Sequence, residues 1–72
     1  MAKTELPNEI KTTGDRIRVA RVNAGMSQIA LAKAAGTSQD RISSIETGRN
    51  VPTVAVLSRI ADALGVQISN LI

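Results

Sequence analysis

Residues 28 to 46 read QIALAKAAGTSQDRISSIE, and this stretch has the spacing of two short helices joined by a tight turn. Helices that cross steeply need a small side chain where they meet and a residue that tolerates positive φ in the turn. Ala32 and Gly36 meet these two requirements. Ile42 and Ile45 give the second helix an apolar stripe that can pack on the first. The opposite face of the second helix is polar, so we expect it to be exposed.

The flanking sequence predicts an all-α fold, a compact bundle of about five short helices. Residues 1–11 lack a helical period and are interpreted as an N-terminal arm, and residues 12–72 form one domain. The segment 66–72 is long enough for a fifth, short helix. The predicted N-terminal caps are Thr12, Ser27, Ser38 or Thr37, and Thr53; the predicted stops are Gly25, Gly48 and Gly65; the clearest apolar stripe is Leu57, Ile60, Ala61 and Leu64.

Composition excludes several classes of function. The chain has no cysteine and no histidine, so we expect no disulfide, no metal site and no cofactor. It has no aromatic residue, which argues against modules that stack single-stranded bases. No nucleophile, base and orienting group can be proposed, so an enzyme is not expected. The net charge of +3 favours a polyanionic partner, and no apolar run is long enough for a membrane span.

One cation is predicted to point at the core. Ile17, Ala20 and Ala24 share one face of the first helix, and at 100° per residue Arg21 falls among them. Glu46 lies beside the apolar stripe of the third helix and is its natural counter-ion. A guanidinium can bind a carboxylate through two hydrogen bonds, so we predict a buried structural ion pair between them.

With these features the chain resembles a known family, the lambda-repressor-like, Xre-type or Cro-like helix-turn-helix DNA-binding domains. The resemblance covers about residues 14 to 71 and implies a cytoplasmic protein encoded by a bacterium or a phage. The matching residues are Ile17-Arg18, Arg21, Gly25-Met26-Ser27-Gln28, Leu31-Ala32, Ala35-Gly36, Ile42-Ser43, Ile45-Glu46, Gly48-Arg49, Pro52, Leu57, Ala61, Leu64-Gly65 and Leu71.

The resemblance implies a site for double-stranded DNA on the second and third helices. The positions that would reach base edges in the major groove are Ser38, Gln39, Asp40 and Ser44. Gln39 can bind adenine through two hydrogen bonds, whereas Asp40 could accept from cytosine but would repel phosphates. The expected phosphate contacts are Gln28, Arg41, Arg49 and Asn50, helped by backbone amides around Gly48 and Asn50. The resemblance also implies that Gln28 braces the first side chain of the third helix.

The resulting hypothesis is a sequence-specific transcriptional regulator, a repressor that works as a homodimer on a two-fold-related operator. One short helix reads few base pairs, so a dimer that reaches two half-sites multiplies specificity. The segment after Gly65 carries more aliphatic residues than one short helix needs for docking. We therefore predict a dimer surface at Val66, Ile68 and Ile72.

Two alternatives remain from the sequence alone. The chain could be an antitoxin that binds DNA for autoregulation and also binds a toxin protein through Val19, Val22 and Ile29. Alternatively, it could be a protein-interaction adaptor that has lost DNA binding, for which Asp40 and the modest charge are the hints. The operator, the regulated genes and the sign of regulation are not determined by the sequence.

Overall fold

A computed structural model of the protein describes residues 10–72 as four α-helices followed by one short 3-10 helix. The helices are α1 (Thr13–Asn23), α2 (Gln28–Ala35), α3 (Gln39–Glu46) and α4 (Val54–Leu64), and the 3-10 helix is Ile68–Asn70. The all-α class is confirmed. Of the five helices predicted, the last is only a single 3-10 turn. Residues 1–9 of the predicted arm lie outside the described residues. No helix within residues 10–72 is long and apolar enough to cross a membrane.

Each α-helix begins with a Ser or Thr whose side-chain oxygen accepts the backbone amide three residues further on. These predicted caps are Thr12, Ser27, Ser38 and Thr53, at 3.1, 3.0, 3.1 and 3.1 Å. Gly36 and Gly65 end α2 and α4 in the left-handed conformation that favours glycine. α3 ends at Glu46, and the predicted stop Gly48 follows two residues later with φ of 84°, in the left-handed conformation typical of glycine after a helix end.

One hydrophobic core joins all four helices and the C-terminal segment. α2 lies at its centre and contacts both α3 and α4, while α1 packs on α3 and α4. The predicted stripe of α4 is buried except for Leu64, which is half-buried. Ala24 was expected on the core face of α1 but is exposed, because the helix ends at Asn23. The buried hydrophobic residues are Ile17, Leu31, Ala32, Ala35, Ile42, Ile45, Val56, Leu57, Ile60, Ala61 and Leu71.

Gly14 allows α1 to approach α3 more closely than any other residue would. It lies buried in the first turn of α1, against the C-terminal end of α3. A Cβ atom at this position would overlap the carbonyl oxygen of Ile45 and lie 2.8 Å from the carbonyl oxygen of Glu46. The sequence indicated only a capping role for this segment. The missing side chain instead sets the distance between α1 and the helix that carries the candidate site.

Candidate nucleic-acid interface

The turn between α2 and α3 holds the two helices together as the sequence predicts. Gly36 caps α2 with φ of 70° and ψ of 37°, and the Thr37 amide donates to the Ala32 carbonyl at 2.9 Å. Ala32 is 3% exposed, so a larger side chain has no room there. Ile42 and Ile45 of α3 belong to the same buried cluster. The inner face of α3 is therefore fully used by packing.

The outer face of α3 carries the four residues predicted to read bases. Ser38, Gln39 and Asp40 are exposed at its N-terminal end, whereas Ser44 is half-buried. The Ser38 hydroxyl also accepts the Arg41 amide at 3.1 Å, so it caps the helix. Three polar side chains at the start of the helix are thus available to a partner, and Ser44 is less so.

The predicted phosphate contacts surround this face. Arg41, Arg49 and Asn50 are exposed, and Gln28 is half-buried at the start of α2. We expected backbone amides around Gly48 and Asn50 to bind phosphate as well. Those amides are already engaged: the amides of Arg49 and Asn50 donate to the Ser44 carbonyl at 2.9 and 3.1 Å, and that of Gly48 donates to a carbonyl of α3 at 3.2 Å. They satisfy the open carbonyls at the end of the helix, so Arg49 and Asn50 have their side chains left to donate to a phosphate.

Behind the outer face lies the ion pair between α1 and α3. Arg21 Nε donates to Glu46 Oε2 at 2.7 Å, and Arg21 Nη2 donates to Oε1 at 3.2 Å. Arg21 is 2% exposed and Glu46 is 3% exposed. Arg21 Nη1 also donates to the Met26 carbonyl at 2.9 Å, in the turn before α2. One guanidinium therefore connects α1, the start of α2 and the end of α3.

Two further donors on Glu46 were not foreseen from the sequence. Arg18 Nε and Gln28 Nε2 donate to Oε1 at 3.2 and 3.1 Å. Gln39 Nε2 in turn donates to Gln28 Oε1 at 3.4 Å, at the place where the resemblance implies a brace. The position of Arg18, three residues before Arg21 on α1, was the available sequence signal for its role. For Gln28 no signal linked it to Glu46, because the contact depends on how α2 and α3 are placed.

The predicted dimer surface is smaller in the structure than the sequence suggests. Val66 and Ile68 are half-buried against the core, while Ile72 is 70% exposed. The three aliphatic residues considered for a toxin surface differ as well. Ile29 is 57% exposed, but Val19 and Val22 are half-buried.

Comparison with known proteins places this geometry in a family. The family model described as helix-turn-helix matches residues 17–71, from α1 to the last buried residue of the chain. The chain belongs to the helix-turn-helix family. The match confirms the resemblance to lambda-repressor-like, or Xre-type, DNA-binding domains, a family of regulators rather than enzymes.

Individual helix-turn-helix relatives agree with this assignment. The chain is 34% identical over 61 residues to the immunity repressor protein of Bacillus phage phi105. The aligned region covers 85% of this chain but only 42% of that repressor. A hypothetical transcription factor, NHTF from Neisseria, superposes with a TM-score of 0.87 at 30% identity, over 96% of this chain and 87% of that one. The P22 c2 repressor, solved in complex with a synthetic operator, superposes with a TM-score of 0.81 at 31% identity, over 86% and 94%.

Proposed function

We propose that this chain is a sequence-specific, double-stranded DNA-binding transcriptional regulator that acts as a repressor. The observation that carries the proposal is the division of α3 into two faces. Ile42, Ile45 and Glu46 are buried, while Gln39 and Asp40 stand exposed at the helix start. Such a helix can enter the major groove without any change in the core.

The side chains around α3 suit duplex DNA. Gln39 can donate to N7 and accept from the N6 amino group of adenine, and Asp40 can accept from N4 of cytosine. Arg41 and Arg49 supply exposed positive charge near this face, where phosphates would lie. The carboxylate of Asp40 would also repel nearby phosphates, an effect that lowers the affinity for every sequence alike.

We further propose that the chain binds as a homodimer on a two-fold-related operator. A single α3 of eight residues reads only a few base pairs. Two copies that reach half-sites roughly 34 to 36 Å apart would multiply this specificity. Ile72, the most exposed of the predicted interface residues, is the candidate centre of the contact between copies. Occupation of such an operator would exclude polymerase sterically.

Selection of bound sites from random duplexes tests the proposal directly. The purified protein is expected to enrich a two-fold-related sequence, and sedimentation with that duplex is expected to show two chains bound. Failure to enrich any sequence would contradict DNA readout by this chain.

The dimer is tested by the substitution Ile72→Lys. It should weaken self-association and, because each half-site contact is weak alone, also weaken binding to the operator. Val54→Lys is the matched control. Val54 is 76% exposed, but it is the first residue of α4, whereas Ile72 lies beyond the C-terminal end of that helix. Val54→Lys should leave self-association and operator binding unchanged. Binding of the wild-type protein as a single chain, with no loss from Ile72→Lys, would contradict the homodimer.

A further inference from the structure

A continuous series of hydrogen bonds runs from the protein interior to the outer face of α3. It begins at the carboxylate of Glu46, which is 3% exposed. Gln28 Nε2 donates to Glu46 Oε1 at 3.1 Å, and Gln39 Nε2 donates to Gln28 Oε1 at 3.4 Å. The series therefore ends at the residue that the proposed function assigns to base reading.

The direction of these hydrogen bonds is imposed by the buried end. A carboxylate accepts hydrogen bonds and donates none, so Gln28 must turn its amino group towards Glu46. Its carbonyl oxygen then points towards Gln39, and Gln39 must present its own amino group in return. Arg21 and Arg18 supply further donors to Glu46, which keeps the carboxylate in place.

This direction has a consequence for base recognition. With one hydrogen of Nε2 used by Gln28, Gln39 keeps one N–H and its carbonyl oxygen for a partner. One donor beside one acceptor matches adenine, which presents N7 as an acceptor and N6 as a donor. Guanine presents two acceptors, N7 and O6, so it leaves the carbonyl oxygen of Gln39 without a donor.

We propose that Glu46, acting through Gln28, is a positioning residue that makes Gln39 prefer adenine over guanine. The inference rests on the proposed function, because it needs Gln39 to contact a base. It assigns to the buried ion pair a part in sequence specificity in addition to its structural part. Glu46 does not have to touch DNA for this effect.

The first test measures base preference in three variants. Gln39→Ala identifies the base pair that Gln39 reads, which is expected to be A·T. Gln28→Met leaves the Arg21–Glu46 pair intact. It should lower by about tenfold the ratio of the affinity for a duplex with adenine to that for a duplex with guanine at this base pair, which is the order of discrimination that one bidentate base contact contributes. A purely structural or phosphate-binding Gln28 would weaken all sequences equally and leave this ratio unchanged. Glu46→Gln, whose amide can donate or accept, should also narrow the ratio, provided that circular dichroism shows a folded protein.

The control is Gln67→Met, since Gln67 is an exposed glutamine next to the 3-10 helix and far along the chain from the network. It should leave the ratio unchanged. The proposal is overturned if Gln28→Met keeps the wild-type ratio, if folded Glu46→Gln keeps it, or if the base pair read by Gln39 is not A·T. If the wild-type protein has no preferred site at all, the proposed function is wrong and this proposal is overturned with it.

A second test needs no DNA. In 15N-labelled free protein, Gln28→Met should shift the side-chain amide resonances of Gln39, because it removes the acceptor of that amide. Gln67→Met should not shift them. Unchanged Gln39 resonances in the Gln28→Met protein would overturn the proposal even if the protein binds its operator, so the two failures can be told apart.

Discussion

The two faces of α3 differ in what each contributes to the protein. The inner face is 0–3% exposed and consists of Ile42, Ile45 and Glu46, each of which contacts another helix. The outer face, with Gln39, Asp40 and Arg41 at its start, is exposed. We therefore expect substitutions on the inner side to change stability and those on the outer side to change binding. Glu46 is the exception: its substitution should change both stability and binding, because its hydrogen bonds lead through Gln28 to Gln39.

The largest effect is expected from breaking the ion pair that supports the inner face. Arg21→Met removes two hydrogen bonds to Glu46 and should cost about 3 to 5 kcal/mol of the free energy of unfolding. That is a large share of the roughly 4 to 11 kcal/mol expected for a chain of this length. Urea unfolding measures the loss.

Two further variants test whether this loss of stability comes from the buried ion pair. Arg59→Met removes an arginine from an exposed position on α4 and should change stability by less than about 0.5 kcal/mol. The double substitution of Arg21 and Glu46 by methionine should be less harmful than Arg21→Met, because it does not leave a buried carboxylate whose remaining counter-ion is the half-buried Arg18. Wild-type stability of Arg21→Met would show that the pair does not support the fold.

A somewhat smaller effect is expected at the contact between α1 and the end of α3. An alanine in place of glycine normally stabilises a helix by up to about 1 kcal/mol. At Gly14 the new Cβ would meet the carbonyl oxygens of Ile45 and Glu46, so Gly14→Ala should instead destabilise the protein by about 1 to 3 kcal/mol. Thermal unfolding measures the change, and we expect the melting temperature of Gly14→Ala to be lower than that of the wild type. A raised melting temperature would contradict the close packing.

Two substitutions, one on the outer face and one in the loop after α3, should leave stability nearly unchanged and alter DNA binding in different ways. Gln39→Ala should relax the preference at one base step by about 1 to 3 kcal/mol. Arg49→Ala should weaken all sequences alike and reduce the slope of log affinity against log salt by about 0.9 for each phosphate that is no longer neutralised. Titrations of several duplexes at several salt concentrations separate the two. Equal, sequence-independent losses would remove Gln39 from the base-reading residues.

The smallest effect concerns the exposed N-terminal cap of α1. Asp15 Oδ2 accepts the backbone amide of Lys11 at 2.9 Å and that of Thr12 at 3.2 Å. These hydrogen bonds, of which the one from Lys11 has the larger effect, hold the pKa of Asp15 below its ordinary value. The stability that this carboxylate contributes is therefore present above its unfolded-state pKa of about 4 and is lost as pH falls through the lower folded-state pKa.

Asp15→Asn should consequently be less stable than the wild type at neutral pH, and the two proteins should converge in acid. Unfolding curves recorded between pH 7 and pH 2 at constant ionic strength measure this. A difference that stays constant over the whole range would contradict a role for the ionised carboxylate in the cap.

Much of the candidate site could be predicted from the sequence because it depends on helical periodicity. The interval between Ile42 and Ile45 identifies the inner face of α3, and this places Gln39 and Asp40 outside it. The contact between Arg21 and Glu46 follows from the same projection together with the charges. The assignment of these exposed residues to DNA comes from the family resemblance and stays a proposal, as does the dimer surface at Val66, Ile68 and Ile72.

Other features required the arrangement of the whole chain. The engagement of the Arg49 and Asn50 amides with Ser44 depends on the path of the loop after α3. The partial burial of Val66 and Ile68 depends on how the segment after Gly65 folds back on the core. Sequence periodicity describes one helix at a time, so it carries no information on either.

The sequence alone determined the local elements: four capped helices, their glycine stops and the polar face of α3. These elements depend on hydrogen bonds and φ values of residues that are close together in the sequence. Only the tertiary structure decided that Gly14 lies against the carbonyls of α3 and that Gln28 joins Glu46 to Gln39. Those contacts join residues 11 to 32 positions apart, and their geometry exists only once the core has set the distances between helices.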